Sequence, residues 1–140
     1  MTLKFKTWSG VNGIEQYINN ITNCKAFSGV GICHRADKKI TILRSVDNTY
    51  YYDDNLNNIN NPIYTLFGHN NDQKEDEKRF NEPLLNKDKT NHIYLYRVLN
   101  NKNFKYEWYG EYKIIKKSKK NHIGKDYNYR NIILLHLEKI

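Results

Sequence analysis

Residues 38–54 read KKITILRSVDNTYYYDD, a strand pattern that ends in a cluster of aromatic and acidic side chains. Ile40 and Ile42 alternate with Thr41 and Leu43, which predicts a β-strand. Residues 53–62, DDNLNNINNP, are polar and end in a proline, as loops do. We therefore predict a strand that carries tyrosines and aspartates to the start of a loop.

The sequence on either side predicts two short helices and several more strands. Apolar residues at helical spacing predict a helix over residues 13–22, with Asn12 as its cap. A charged run predicts a second helix from about residue 74 to 86, although Pro83 limits its continuity. A basic loop is expected over residues 116–129. Further strands are expected over residues 3–8, 63–67, 92–99, 104–115, with a bulge or bend at Gly110, and 130–140.

The order of these elements predicts an α+β fold. Strands dominate, two or so short helices flank them, and no alternation of strand and helix indicates a parallel α/β architecture. We expect a mixed or antiparallel sheet that curls toward a barrel. The chain of 140 residues fits a single domain with one core.

The net charge is strongly positive. Lysine and arginine total 23, aspartate and glutamate total 15, and the formal charge is +8. Such a surplus predicts attraction to polyanions such as nucleic acid or anionic lipid. No apolar run is long enough to span a bilayer, and the first ten residues lack the apolar core of a signal peptide. We expect a soluble, intracellular protein without a membrane partner, cytoplasmic if bacterial and nuclear if eukaryotic.

The cysteines do not indicate a disulfide framework or a metal site. Cys24 and Cys33 form no CxxC pair. Together with His34 and His69 they could be assembled into a zinc site, but the spacing matches no zinc finger or knuckle. We expect no metal and no cofactor.

One pattern suggests a different chemistry. Glu111 and Lys113 lie two residues apart on a predicted strand, like half of the signature of a metal-dependent nuclease. An upstream carboxylate, Asp54 or Asp72, would complete such a site. Alternating charges on a solvent-facing strand are far more common than this arrangement, so the pattern by itself is weak.

The tyrosine cluster suggests a pocket for a nucleobase. A protein that holds a single base needs aromatic rings on its faces and a carboxylate or amide at its edge. Tyrosines on strands usually contribute packing, so composition alone does not establish this. The basic stretch could contact phosphates or form a solvated hairpin tip. Its cations are Lys116, Lys117, Lys119 and Lys120, with Lys125 and Arg130 nearby.

Read together and in order, these blocks resemble the SRA (SET and RING associated, or YDG) domain. The resemblance is closest to the SRA-like domains of bacterial modification-dependent restriction endonucleases. It covers about residues 40–140, whereas residues 1–35 match nothing and are assigned only a strand and a helix. The chain departs from the family pattern at Leu66 and Asn71, where the family has glycines, and at Trp108. The matching residues are Tyr51, Asp53, Asp54, Tyr64, Thr65, Gly68, Asp72, Gln73, Asn81, Leu84, Gly110 and Tyr112.

The resemblance implies a barrel of the PUA/SRA type that binds a flipped, modified cytosine, either 5-methyl or 5-hydroxymethyl. Tyr51 or Tyr52 would stack on one face of the base and Tyr64 on the other. Asp54, or else Asp53, would accept a hydrogen bond from the N4 amine. Thr65 and neighbouring amides would line the wall that faces C5.

The implied partner is double-stranded DNA that carries the modified base, together with a nuclease domain or partner chain. We expect this chain to bind rather than to cut, as a specificity domain. The alternatives are the small metal-dependent nuclease built on Glu111 and Lys113, and an RNA-binding module of the PUA-like group.

Overall fold

The computed structural model describes residues 6–28, 30–47, 54–68, 72–99, 105–123 and 129–140. Within these ranges the helices are α1 (Val11–Thr22) and α2 (Asn81–Leu85). None of these helices is long and apolar enough to cross a membrane. The strands are β1 (Lys6–Ser9), β2 (Ile32–Arg35), β3 (Ile40–Val46), β4 (Ile63–Thr65), β5 (His92–Leu99), β6 (Lys105–Ile123) and β7 (Tyr129–Lys139).

The strands form one mixed sheet in the order β2-β3-β5-β6-β7-β4, and β1 pairs with the beginning of β6. β3 and β5 run parallel, with Ile40 opposite His92 and Val46 opposite Val98. The other strand pairs are antiparallel. The predicted mixed α+β fold is therefore confirmed.

The sheet curls until its two ends approach each other. β4 lies at one end of the strand order and β2 and β3 lie at the other. The Tyr64 hydroxyl on β4 nevertheless lies 2.7 Å from the Gly31 carbonyl oxygen and 3.2 Å from that of Arg44, within hydrogen-bonding distance of both. Side chains bridge the gap, and no backbone ladder joins the described residues of β4 to those of β2 or β3.

Apolar residues pack on both faces of the sheet because side chains alternate along each strand. In β3, Leu43 belongs to one cluster while Ile40 and Ile42 belong to the other. The first cluster includes Tyr64, Leu95, Tyr112, Leu135 and Leu137. The second lies beneath α1 and β1 and includes Ile14, Ile18, Tyr96, Val98 and Trp108.

The helix predictions were right in kind and inaccurate in extent. α1 begins at Val11 rather than at residue 13, and its N-cap is Gly10, with a φ of +95°, rather than Asn12. Gly13 lies against β1, where a Cβ would come within 2.4 Å of Trp8 Cδ1. The second helix is only α2, because residues 75–76 and 78–80 form turns and Pro83 is tolerated in the first helical turn.

β6 is longer than predicted. The strand continues through the lysine-rich residues that the sequence suggested were a loop, and it pairs with β7 as far as Ile123. It carries two irregularities. At one, Gly110 has a φ of +107° beside a shift in the β5–β6 register, which confirms the predicted bulge. At the other, the β6–β7 register shifts between Ile114 and Lys116.

Candidate functional site

Asp54 is the centre of the candidate site. Its carboxylate lies between the ends of β3 and β4, and each oxygen accepts a hydrogen bond from one of them. The Ser45 hydroxyl donates to Oδ2 at 2.8 Å, and the Thr65 backbone N–H donates to Oδ1 at 2.6 Å. The carboxylate is therefore fixed in orientation by two strands that belong to opposite ends of the sheet.

The asparagine-rich loop restrains the chain immediately after Asp54. Asn55 and Ile63 exchange two backbone hydrogen bonds, at 2.9 and 2.8 Å. Inside the loop, the side chains of Asn55 and Asn58 accept hydrogen bonds from the backbone two residues ahead, which is the pattern of an Asx turn. Leu56 is buried in the first cluster. The predicted loop is thus closed at its base and anchored by an apolar side chain.

Thr65 adds a buried hydroxyl to the site. The residue is 3% exposed, and its Oγ1 has no hydrogen-bond partner within the described parts of the chain. Its backbone N–H is the group that holds Asp54. The Thr65 hydroxyl is therefore a buried polar group on the same residue whose backbone N–H holds Asp54.

Tyr64 is buried rather than open. The side chain is 4% exposed and packs in the first cluster, because its register partner on β7 is Leu135. Its hydroxyl bonds to the backbone of the β2–β3 end of the sheet. In this conformation the ring has no open face, so a base could stack on it only after the atoms that cover it withdraw.

Tyr51, Tyr52 and Asp53 lie outside the described residues, as do Lys125 and His69. The structure therefore assigns none of them a position. Of the predicted base-binding set, it brings together Asp54, Tyr64 and Thr65.

Other residues of the matching blocks hold the chain that follows β4. Gln73 donates from Nε2 to the carbonyl oxygens of Leu66 and Gly68, at 2.6 and 2.8 Å, and accepts from the Ile133 N–H at 2.7 Å. The side chain of Asn81, which is fully buried, bonds to both the N–H and the carbonyl of Phe67. These residues are structural: they tie the end of β4 to β7 and α2.

An ion pair that the sequence did not indicate lies at the end of β3. Arg97 on β5 donates from Nε and Nη2 to the two oxygens of Asp47, at 2.9 and 3.1 Å. Asp47 lies on the same side of its strand as Leu43 and Ser45. The signal available in the sequence was that the polar residues Ser45 and Asp47 continue the alternate positions that begin with the buried Leu43.

The lysines of β6 lie two strands away from the candidate site. Ser118 and Thr65 both have Leu134 as their register partner, so their backbones are separated by about 10 Å. Lys116 and Lys119 are exposed, whereas Lys117 pairs with Glu75. Arg130 is only 6% exposed. It was predicted to contact phosphates together with the lysines, and it lies on β7 with little of its surface accessible.

The carboxylates proposed for a nuclease are not gathered in one place. Glu111 bonds to His92 at 2.8 Å, Asp72 accepts from the Asn131 N–H at 2.7 Å, and Asp54 lies between β3 and β4. Among the described residues, no group of three histidines, cysteines, aspartates or glutamates could hold a metal ion.

Sequence comparison finds no counterpart for the chain: no protein-family profile matches it, and no curated protein is detectably similar. Solved structures do match. The SRA domain of SUVH5, in complex with methylated CHH DNA, aligns with a TM-score of 0.59 and 22% identity, over 94% of this chain and 92% of that one. Two other matches are bacterial-type restriction enzymes in which the matching part is one portion of a longer chain.

The first is ScoMcrA, a phosphorothioation-dependent restriction endonuclease, whose sulfur-binding and SRA domains were solved with phosphorothioated DNA. It aligns with a TM-score of 0.62 and 18% identity, over 100% of this chain and 40% of that one. The second is the modification-dependent restriction endonuclease TagI, with a TM-score of 0.60 and 17% identity, over 99% and 50%. The chain thus spans half or less of the length of these two enzymes.

Proposed function

We propose that this chain, which has the fold of an SRA domain, is a DNA-binding module that recognises a modified cytosine swung out of the duplex. The modification is a 5-methyl or 5-hydroxymethyl group. The observation that carries the proposal is the carboxylate of Asp54, which two donors from opposite ends of the sheet hold in a fixed orientation. The solved structures with this fold include complexes with modified DNA, which supports the choice of ligand.

The chemistry of Asp54 suits cytosine. An ionised carboxylate only accepts hydrogen bonds, and its two oxygens can accept several at once, as those of Asp54 accept from Ser45 and Thr65. The N4 amine of cytosine is a donor, whereas thymine has a carbonyl oxygen at the equivalent position. Asp54 would therefore attract the first base and repel the second.

Aromatic stacking would offset the cost of flipping. Unstacking a base costs a few kcal/mol, and an aromatic face returns roughly 1 to 3 kcal/mol. We propose Tyr51 or Tyr52 for one face and Tyr64 for the other. Because Tyr64 is covered in this structure, its role in the proposal requires a local rearrangement on binding. Asp53 remains the alternative acceptor for the amine.

The remaining affinity would come from phosphate contacts. Lys116, Lys117, Lys119 and Lys120 lie along β6, and Lys125 follows in the β6–β7 connection. Such contacts are independent of sequence and weaken as salt rises. Arg130 is left out of this set because it is buried. We propose that cleavage, where it occurs, belongs to a nuclease domain or partner chain.

The test is a panel of labelled duplexes that differ only at C5 of one cytosine: unmodified, 5-methyl and 5-hydroxymethyl. We expect the wild-type protein to bind at least one modified duplex about 5- to 150-fold more tightly than the unmodified one, since a single small group is worth roughly 1 to 3 kcal/mol. Asp54→Ala should abolish this preference and leave the salt-sensitive background binding.

The matched control is Glu111→Ala, which removes another partly exposed carboxylate that is hydrogen-bonded to a single side chain. This variant should keep the preference. Equal affinity of the wild-type protein for all three duplexes would remove the proposed function, and an undiminished preference in Asp54→Ala would remove the role of this carboxylate.

A further inference from the structure

We infer that the second half of β6, together with an apolar groove beside it, binds an extended acidic segment of a protein partner. The segment would pair with the strand through its backbone and place bulky apolar side chains in the groove. None of Ser45, Asp54, Tyr64 and Thr65 lines this groove. The inference therefore concerns a separate surface and does not rest on the proposed function.

β6 loses its partner on one side halfway along its length. β5 pairs with it as far as Tyr112, which lies opposite Ile93, and β1 pairs only with residues 105–108. From Lys113 to Ile123 the only strand that pairs with β6, among the described residues, is β7. The side of β6 that faces away from β7 is thus a sheet edge. An extended peptide can add a strand to such an edge through main-chain hydrogen bonds.

An apolar groove lies beside this edge, between β6 and α2. Its volume is about 610 Å³, which is within the range of sites that bind ligands. Leu84 and Tyr112 in its lining are buried, whereas Ile115 is 50% exposed. The apolar side chains that line the groove are Leu84, Leu85, Ile93, Tyr112, Ile114 and Ile115.

Ile115 lies at the second irregularity of β6. Its neighbours Ile114 and Lys116 have consecutive partners on β7, Leu137 and His136, so Ile115 is the extra residue of a bulge. It therefore has no partner on β7, and its side chain lines the groove while half of the residue stays in contact with water. A partner that covered Ile115 would gain the free energy of removing this apolar surface from water.

The charged residues that line the groove are all lysines. They are Lys87, Lys113, Lys116 and Lys117, and no aspartate or glutamate lines it within the described parts of the chain. Lys113 pairs with Glu138 at 3.2 Å, and Lys117 pairs with Glu75. Lys87 and Lys116 form no ion pair with any residue that the structure describes. This excess of positive charge would attract an acidic segment.

The combination of edge, groove and charge selects the occupant. Lysines and a bulge also keep two copies of a sheet from pairing, but this protection needs no apolar groove beside the edge. A second copy of the chain would bring lysines opposite lysines. A nucleic acid strand would satisfy the lysines but has no apolar side chains for the groove. An apolar centre inside a polar rim is the arrangement of a protein interface, and an acidic peptide with apolar side chains matches both parts.

The test uses a fluorescein-labelled peptide of about ten residues in which leucine and glutamate alternate, so that the leucines share one face of the extended chain. We expect this peptide to bind the wild-type protein. The same peptide with lysine in place of glutamate should bind about tenfold more weakly or worse, because its charge has the same sign as that of the groove.

Pairing with the edge is tested by N-methylation of the glutamate–leucine peptide. In an extended chain the N–H groups of successive residues point to opposite sides, so only one set of alternate residues can face β6. Two versions of the peptide, each methylated on one of these sets, should therefore differ in affinity by about tenfold or more. Equal affinity of the two versions would overturn the inference.

The groove is tested by two variants with matched controls. Ile115→Ser should weaken binding roughly tenfold, whereas Ile123→Ser, which alters another exposed isoleucine of β6 outside the groove, should not. Lys87→Gln should weaken binding about two- to fivefold, whereas Lys38→Gln should not. Lys87 is chosen because Lys116 and Lys117 also belong to the proposed phosphate-binding set. All four substituted residues are exposed, and thermal unfolding identifies the variants that remain folded. If Ile115→Ser unfolds, Lys87→Gln carries the test.

Three further outcomes would overturn the inference. The first is the absence of measurable binding of the glutamate–leucine peptide to the wild-type protein. The second is an equal loss in the groove variants and their controls, which would show that the peptide responds only to net charge. The third is a wild-type protein that forms dimers in analytical ultracentrifugation while Ile115→Ser stays monomeric, because the groove would then bind a second copy of the chain.

Discussion

The Thr65 hydroxyl should lower the stability of the fold by an amount that can be measured. A buried hydroxyl without a partner destabilises a fold, and replacing it with a methyl group of the same shape is neutral or stabilising. We predict that Thr65→Val raises the free energy of unfolding by up to about 1 kcal/mol, which corresponds to an increase in Tm of about 2 to 4 °C. Thermal unfolding measures it.

Thr41→Val is the matched control. The Thr41 hydroxyl is also fully buried, but it lies 2.8 Å from the Thr90 hydroxyl, so its removal should lower Tm. A drop in Tm for Thr65→Val of the same size as that for Thr41→Val would show that the Thr65 hydroxyl has a partner.

The same variant tests the proposed wall of the pocket in the duplex panel. Thr65→Val should weaken binding to 5-hydroxymethylcytosine more than binding to 5-methylcytosine if the hydroxyl faces the substituent at C5.

The sequence identified Asp54 and Thr65 through their place in a series of blocks, and the structure brings the two into contact. It did not identify Ser45, Asp47 or Arg97, because their contribution depends on which strands become neighbours. Nor did it indicate that Tyr64 is covered, since a tyrosine next to a threonine on a short strand gives no information about which of the two faces the core.

At the scale of elements, β6 shows that a run of charged residues can lie on a strand although it suggests a loop. The lysines that suggested a loop lie on a strand because their partners on β7 are apolar residues of the core: Lys117 faces Leu135 and Lys119 faces Ile133. Pairing with a buried strand overrides the low β propensity of lysine. β5, in contrast, was predicted with its observed bounds, because its sequence is an almost unbroken run of apolar and aromatic residues that favour strands.

The segment before α2 is held by Glu77 and not by a helix. Its carboxylate accepts from the backbone N–H groups of Arg79, Phe80 and Asn81, at 3.0, 2.8 and 3.0 Å. Burial raises the pKa of this carboxyl. The hydrogen bonds from Asn81, Phe80 and Arg79 together lower the pKa by more than burial raises it, so the net shift is downward. A carboxyl whose pKa is lowered on folding stabilises the fold at pH values above its ordinary pKa. This stabilisation is lost as the pH falls through the pKa of the folded state.

We predict that Glu77→Gln lowers the stability by about 1 kcal/mol at neutral pH, as the loss of a helix-capping contact does. As the pH falls through the lowered pKa of Glu77, the difference from the wild type should shrink, because the wild-type carboxyl then takes up a proton as well. Thermal unfolding at neutral and at acid pH measures this. Glu138→Gln, an exposed surface change, should have little effect at either pH. A deficit in Glu77→Gln that is independent of pH would contradict the assignment.

At the scale of the whole molecule, the charge of +8 should appear as salt-dependent binding. Each phosphate contact that is removed reduces the slope of log affinity against log salt by about 1. We predict that Lys116→Gln combined with Lys119→Gln lowers the slope by about 2 for modified and unmodified duplexes alike. Titrations at several salt concentrations measure it.

Lys38→Gln, in the turn between β2 and β3, serves as the control and should leave the slope unchanged. A loss of preference for the modified duplex in the β6 variant, at a constant slope, would mean that these lysines read the base rather than the backbone.

The mixed sheet itself was predicted from the absence of strand–helix alternation. Its parallel pair was not predicted, because a parallel partner far along the chain leaves no local pattern in the sequence.

That parallel pair has a consequence for the design of the molecule. Because β3 and β5 lie side by side and point the same way, the chain must leave at the end of one and travel back to the start of the other. Asp54, β4, Gln73 and α2 all belong to this single excursion. The described residues proposed to bind the base therefore lie in one insertion between two neighbouring strands, and moving this insertion into another sheet would also require a serine at the position of Ser45, whose hydroxyl holds Asp54.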